Sequence, residues 1–193
     1  MVYGTAERYP TNENDLPRPI SPYGVTKLAA EHLCSLYGTQ FGIPTTSLRY
    51  FTVYGPRQRP DMAMTRLVLS ALQGTEFSLY GTGQQKRDFT FIADVVRANI
   101  SVANWLGNGG TPGTVFNVGN CNPTILHDVI RIIEDATGKA INLKKLPRQD
   151  GDPMQTGADC SLIENAIGWR AETKIEDGLA AQVSYFQNFL GLL

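Results

Sequence analysis

Cysteine and histidine are both scarce in this 193-residue chain, which has three Cys and two His. Cys34, Cys121 and Cys160 stand far apart without CxxC spacing, which argues against a disulfide scaffold or a zinc site. His32 and His127 are isolated, as packing or surface histidines are. Net charge is nearly absent, at −1, and gives no sign of a nucleic-acid or anionic-membrane partner. No apolar run approaches a membrane span, and the first residues lack the charged-then-apolar pattern of a signal peptide. These absences point to a cytoplasmic, reducing setting. Missing too is a glycine-rich phosphate loop, since neither GxGxxG nor the P-loop pattern follows any candidate strand. The glycine-dense stretch 107–113 follows a helical pattern and reads as a flexible connection.

What is present suits one soluble globular domain or a domain and a half, with 42% hydrophobic and 18% charged residues and enough length to bury a core. "MVYG" reads as the end of a strand, followed by a Pro-rich loop to Pro22. From Ser21 the pattern turns helical, with Pro22 suited to an early position and apolar residues at Val25, Leu28, Ala29, Leu33, Leu36 and Tyr37. The helix ends at Gly38 or Gly42, and "IPTTSLRYFTVYG" then reads as a strand. Further helices are expected over residues 62–73, 93–106, 125–137 (N-capped by Thr124) and 175–190, with short strands at "FSLYGTG", "RDFTF", "GTVFNVGN" and "INLKKLP". Helix, short loop and apolar strand in alternation is the rhythm of a parallel α/β sheet.

Tyr23 precedes Lys27 by four residues, so one helical turn puts a phenol and an ammonium on the same side. A tyrosine with a reference pKa of about 10 is a poor base, and an adjacent cation favours its phenolate. Such a pair can take a proton from a sugar hydroxyl. Chance alone supplies roughly a quarter of a match to this spacing in a chain of this composition. The spacing by itself therefore leaves two readings open, a proton-transfer pair or two side chains on an amphipathic helix.

The ordered blocks "VYG" (2–4), "SPYGVTK" (21–27), "LRYFTVYGPRQRPDMA" (48–63), "YGTGQQKRDFTFIADV" (80–95), "FNVGN" (116–120) and "GD" (151–152) add context. Together they resemble the extended short-chain dehydrogenase/reductase family, specifically the NAD-dependent nucleotide-sugar epimerases and dehydratases. The resemblance implies the C-terminal part of a Rossmann-type α/β parallel sheet with a smaller α/β substrate-binding domain. Residues 1–55 would be the remnant of the NAD-binding domain. Residues 56–193 would be mainly the substrate-binding domain, with some segments packing back.

By the same resemblance, Tyr23 is the catalytic tyrosine and Lys27 the lysine that holds the nicotinamide ribose, both contacting NAD. Tyr50 and Phe51 would pass beside the nicotinamide. Thr52 stands where most members have Asn, which keeps a hydroxyl and loses an amide. Arg87 matches the arginine that grips the nucleotide diphosphate, where a guanidinium gives two parallel hydrogen bonds. Tyr80 would line the base pocket or remain an ordinary core-facing strand residue. Asp152 would accept bonds from ribose hydroxyls. Where many members place an arginine three residues before it this chain has Gln149, and the adjacent Arg148 either substitutes or is solvated. Arg57 and Arg59 lie in the substrate-side loop, approaching phosphate or water. Asp88 and Asp94 are expected to fix loop and helix geometry rather than move protons.

The resemblance begins within the family pattern, downstream of its GxxGxxG segment, so the chain is expected to bind NAD poorly and to be inactive alone. The implied activity is epimerisation at C4 of a UDP-sugar, with 4,6-dehydration as the alternative. A homodimer through the Tyr23-bearing helix is implied as well. A reading of another class makes the chain a non-catalytic sugar-nucleotide-binding or dimerisation fragment.

Overall fold

The computed structural model describes residues 2–148 and 153–191. A long helix, α1 (Pro22–Phe41), opens the regular structure and is followed by β1 (Thr46–Tyr50) and β2 (Thr52–Tyr54). Then come α2 (Ala63–Gln73), β3 (Phe77–Tyr80), β4 (Lys86–Arg87), β5 (Phe89–Phe91), α3 (Ile92–Gly107) and β6 (Thr114–Val118). The chain closes with β7 (Thr124–Ile125), α4 (Leu126–Thr137), β8 (Leu143–Leu146), α5 (Ser161–Ile167) and α6 (Ile175–Phe189). Among the described residues β1–β6, β2–β5 and β3–β8 pair in parallel, and β4–β7 antiparallel.

Local chemistry accounts for most boundaries. The Ser21 hydroxyl accepts from the Gly24 N–H at 3.1 Å and caps α1, with Pro22 at the first helical position. Gly42, Gly74 and Gly138 end α1, α2 and α4 in the left-handed region, where a Cβ costs energy. Thr124 is no cap: it lies in β7 opposite Arg87, and the cap position of α4 is Ile125, with no side-chain bond. Pairing across the sheet overrides the local capping preference. Val2–Gly4 forms a turn rather than a strand end, because Gly4 takes φ +62° against the Arg18 carbonyl.

Two hydrophobic cores organise the chain. One gathers Tyr54, Leu67, Val68, Leu79, Phe89, Val129, Ile133, Leu179 and Val183 from β2, α2, β3, β5, α4 and α6. The other gathers Tyr3, Phe51, Val95, Ala98, Phe116, Val118, Ile163 and Trp169 around β6, α3 and α5. The expected continuous strand 43–55 breaks at Phe51, where the chain passes from one partner to another. Phe51 N–H still donates to Val118 O at 3.0 Å, and Thr52 N–H donates to Asp88 O at 3.0 Å. In α6, Gly178 is required, since a Cβ there would collide with the buried Tyr54 hydroxyl.

Helix α1 departs from the amphipathic expectation. Its apolar residues Val25, Leu33, Leu36, Tyr37 and Phe41 are exposed, and its two buried residues are Gly24 and Gly38. The helical period is as expected, and its apolar residues face outward. Close approach of α1 to the chain beneath it needs small residues, so the large side chains point away.

Candidate active site

Tyr23 and Lys27 stand together on the first two turns of α1, with the Lys27 ammonium 5.4 Å from the centre of the Tyr23 ring. Tyr23 is 64% exposed, so its hydroxyl is open to an incoming molecule. The capped helix start holds the tyrosine backbone, and the i, i+4 spacing holds the cation beside the ring.

The strand side of the site lies at the C-terminal end of β1, the edge where parallel α/β sheets bind ligands. Tyr50 pairs with Val118, is 43% exposed, and its hydroxyl donates to Asn99 Oδ1 at 2.8 Å. Phe51 turns its ring into the core against Tyr3, with ring centres 6.4 Å apart, so its backbone is what stands at the strand end. Thr52 pairs with Phe89 and bonds Asp88 O, which brings it next to the Arg87–Asp88 segment.

Arg87 lies in β4 opposite Thr124 and donates from Nη1 to the Lys86 carbonyl at 2.8 Å. Tyr80 ends β3 opposite Leu146, and its carbonyl accepts from Gln85 Nε2 at 2.9 Å. Arg148 follows β8, exposed, close enough that a Cβ on Gly81 would lie 3.8 Å from its own Cβ. The fold thus groups Thr52 with Arg87 and Tyr80 with Arg148, joined by the 80–87 segment. Asp152 and Gln149 lie outside the described residues. Arg59 is exposed and pairs with Asp61 at 3.1 Å, while Arg57 sits at φ +65° in the same loop.

Asp88 is a buried fastening point. Its carboxylate accepts from the N–H groups of Asn120 (2.7 Å), Cys121 (3.2 Å) and Ala158 (2.9 Å), tying three segments together beside Arg87. Burial pushes its pKa up, against the downward pull of these three bonds. Asp94 begins α3, accepts from Thr173 N–H at 3.0 Å and pairs with Arg97 at 3.0 Å. Both carboxylates tie neighbouring segments together.

Two features escaped the sequence reading. Cys121 and Cys160 are joined in a disulfide, with Cα atoms 6.5 Å apart, which corrects the sequence argument against disulfide use. Thirty-nine residues separate them in sequence. The Asp88 carboxylate, bonded to both Cys121 and Ala158, is what brings the two segments together. The second is a buried polar network around Arg49, Glu31, Tyr3 and Asn117. Its only sequence signal is a charged residue inside an apolar strand, "SLRYF". Two cavities of about 430 and 520 Å³ open near residues 155–161 and 3–18. Neither is lined by a residue expected at the site. Among the described residues no His/Cys/Asp/Glu group is arranged to hold a metal, and no helix is long and apolar enough to cross a membrane.

Comparison with known proteins adds the family and the fold. Residues 1–119 match the pattern of the NAD dependent epimerase/dehydratase family. An uncharacterized UDP-glucose epimerase, YtcB, of Bacillus subtilis is 40% identical over 187 residues, covering 97% of this chain and 58% of that protein. UDP-glucuronic acid 4-epimerase from Bacillus cereus, solved with UDP-glucuronic acid and NAD, superposes with a TM-score of 0.90 at 39% identity, covering 97% of this chain and 59% of the other. UDP-glucose 4-epimerase from Thermotoga maritima, solved with UDP-glucose, gives a TM-score of 0.90 at 31% identity, covering 97% and 60%. The chain spans about three-fifths of the length of the relatives it matches.

Proposed function

Because the chain belongs to the NAD-dependent epimerase/dehydratase family, we propose that it carries the acid–base and substrate-holding part of a UDP-sugar 4-epimerase. The observation that carries this reading is the Tyr23–Lys27 pair, exposed at a capped helix start with the cation 5.4 Å from the ring centre. In this reading residues 1–55 belong to the cofactor side and residues 56–193 mainly to the substrate side. The second hydrophobic core crosses that boundary through α3, β6 and α5.

Tyr23, Lys27 and Tyr50 are exposed and polar, which fits them to hold NAD at its nicotinamide end, beside the Phe51 backbone. A bound NAD supplies reversible hydride acceptance at sugar C4. Tyr23 Oη, which enters the step as phenolate, takes the proton of the C4 hydroxyl and later returns it, and the Lys27 charge stabilises that anion before the proton arrives and after it leaves. Reduction on the opposite face of the sugar leaves its configuration changed and no net oxidation. Arg87 holds the diphosphate, Thr52, Tyr80 and Arg148 line the nucleotide-sugar path, and Asp152 bonds the ribose.

Calorimetry of the chain with UDP-glucuronate, and separately with NAD, tests this. UDP-glucuronate is expected to bind, NAD weakly, and Arg87→Met to weaken the sugar nucleotide by roughly 10- to 100-fold, the worth of a charge-assisted pair of bonds. Unaltered binding in Arg87→Met removes the diphosphate assignment. A stable 4-keto-6-deoxy product from UDP-glucose, whose C6 hydroxyl can leave as water, read by NMR in an active enzyme carrying this chain, transfers the reading to the 4,6-dehydratases.

The outward apolar face of α1 supports a further proposal, a homodimer through this helix. Six exposed large side chains on one helix, Tyr23 among them, exceed what a solvated surface needs. Leu33→Glu with Tyr37→Glu is expected to convert dimer to monomer in sedimentation equilibrium, and a wild-type monomer at tens of micromolar counts against it.

A further inference from the structure

Helix α1 rests on the chain along one stripe, Gly24, Leu28, Glu31, Ser35 and Gly38, spaced four and three residues apart. Leu28 is its only large apolar member. The C-terminal end of this stripe is pinned. A Cβ on Gly38 would lie 2.7 Å from Thr45 Oγ1 and 3.5 Å from Gly113 N, so the helix sits directly on backbone there. Thr45 Oγ1 donates to Cys34 O at 2.8 Å and Ser35 Oγ to Gly113 O at 3.4 Å, fastening the same end. Toward the N-terminal half, which carries Tyr23 and Lys27, the helix is fastened by the Glu31 side chain, with Gly24 buried and Leu28 half-buried beyond it.

Arg49 of β1 grips Glu31 with two parallel bonds, Nε to Oε2 at 2.8 Å and Nη2 to Oε1 at 2.7 Å, the two side chains being 8% and 11% exposed. Its Nη1 donates onward to Tyr3 Oη at 2.7 Å and to Glu13 O at 3.1 Å. The Tyr3 hydroxyl in turn donates to Asn117 Oδ1 at 2.7 Å, and Asn117 N–H donates to Glu13 Oε1 at 2.7 Å. The guanidinium is therefore held from the N-terminal loop and, through Tyr3, from β6. It is a fixed node rather than a mobile surface charge.

We propose that Arg49 and Glu31 are positioning residues for the Tyr23–Lys27 pair, setting the tilt of α1 about its pinned end at Gly38. The proposal rests on the reading of Tyr23 as the proton carrier. Glu31 stands roughly 10 Å along the helix from Gly38 and Tyr23 roughly 12 Å further, at 1.5 Å per residue. A shift of about 1 Å at Glu31 thus becomes about 2 Å at Tyr23, and misplacement of that size costs on the order of 10²-fold in rate.

A nitroxide on T26C in a C34S background reports where the N-terminal half of α1 lies, through paramagnetic broadening of the amides of β1 and β6. Glu31→Gln and Arg49→Lys are expected to change that broadening pattern. They are also expected to lower amide-exchange protection in residues 23–31 by roughly 10²-fold, while α2, α4 and α6 stay within a few-fold. In a chimera carrying this chain in place of the matching part of the Bacillus cereus enzyme, kcat falls and KM for UDP-glucuronate holds. An unchanged broadening pattern overturns the proposal, whether protection then falls uniformly across all helices or not at all. A chimera without activity sinks the epimerase reading and leaves the broadening result to decide the positioning role.

Discussion

Tyr23→Phe is expected to lower C4 epimerisation of UDP-glucuronate by roughly 10²- to 10⁴-fold, the worth of a positioned acid–base group. The measurement is made in the chimera described above, with NAD present. The substitution removes Oη and keeps the ring. Tyr23 is 64% exposed at a helix start capped by Ser21, so neither packing nor cap depends on the hydroxyl. Thermal stability is expected to stay within about 0.5 kcal/mol of wild type. The cation beside the ring survives too, because an ammonium is attracted to a phenylalanine face as well. Binding of UDP-glucuronate, held through Arg87 on another element, should be unchanged. Loss of turnover with intact binding and fold isolates the proton-transfer role. Turnover within threefold of wild type would remove Tyr23 from the chemistry, and the pair would revert to two side chains on a helix.

The same residues show how far sequence reading reaches. Ser21, Pro22 and the left-handed glycines at 42, 74 and 138 mark helix ends through interactions within a few residues, and the structure has those ends. The α/β alternation and the parallel pairing follow from the same local patterns. Failures occur where a distant contact decides. The period of α1 was visible, but which face turns inward depends on Gly38 meeting Gly113 and on Arg49 meeting Glu31. Helix α5 carried a usable signal in Gly168, its left-handed terminator, yet at seven residues its pattern is too short to stand out. That Tyr23 and Lys27 stand side by side was legible because one helical turn joins them, while the role proposed for them came from the resemblance and not from the spacing. The grouping of Thr52 with Arg87 needed strand register, which adjacent residues do not specify.

Asp88→Ala is expected to cost about 3 kcal/mol or more in chemical denaturation, because it strips one acceptor from three N–H groups at once. Each orphaned buried donor costs about 1–3 kcal/mol. Two of the three bonds, to Asn120 and Cys121, are part-buried and recover some of that from water, so the lower end applies. The bond to Ala158 is fully buried and does not recover. The Cys121–Cys160 disulfide holds two of these segments together, so the loss should be larger with reductant present.

Asp88→Asn separates the bonds from the charge. It keeps one acceptor oxygen and turns an amide toward a donor, so its cost should fall between wild type and alanine. Its pH dependence is the sharper result. Burial raises the folded Asp88 pKa above the unfolded value, so ionisation is harder in the folded chain. The group's stabilising contribution is full below about pH 3.9, its unfolded range, and is lost as pH rises through the raised folded value. That segment of the wild-type stability curve should shrink in Asp88→Asn, leaving the like-signed part from Glu13, which burial also raises, and the opposite slope from Asp15 and Asp159, whose pKa values are lowered by Arg8 and by Ser161. A curve for Asp88→Asn that parallels wild type throughout would mean that the three bonds fully offset burial and leave this carboxyl unshifted on folding. Asp88 would then fasten the Arg87 segment at no electrostatic cost.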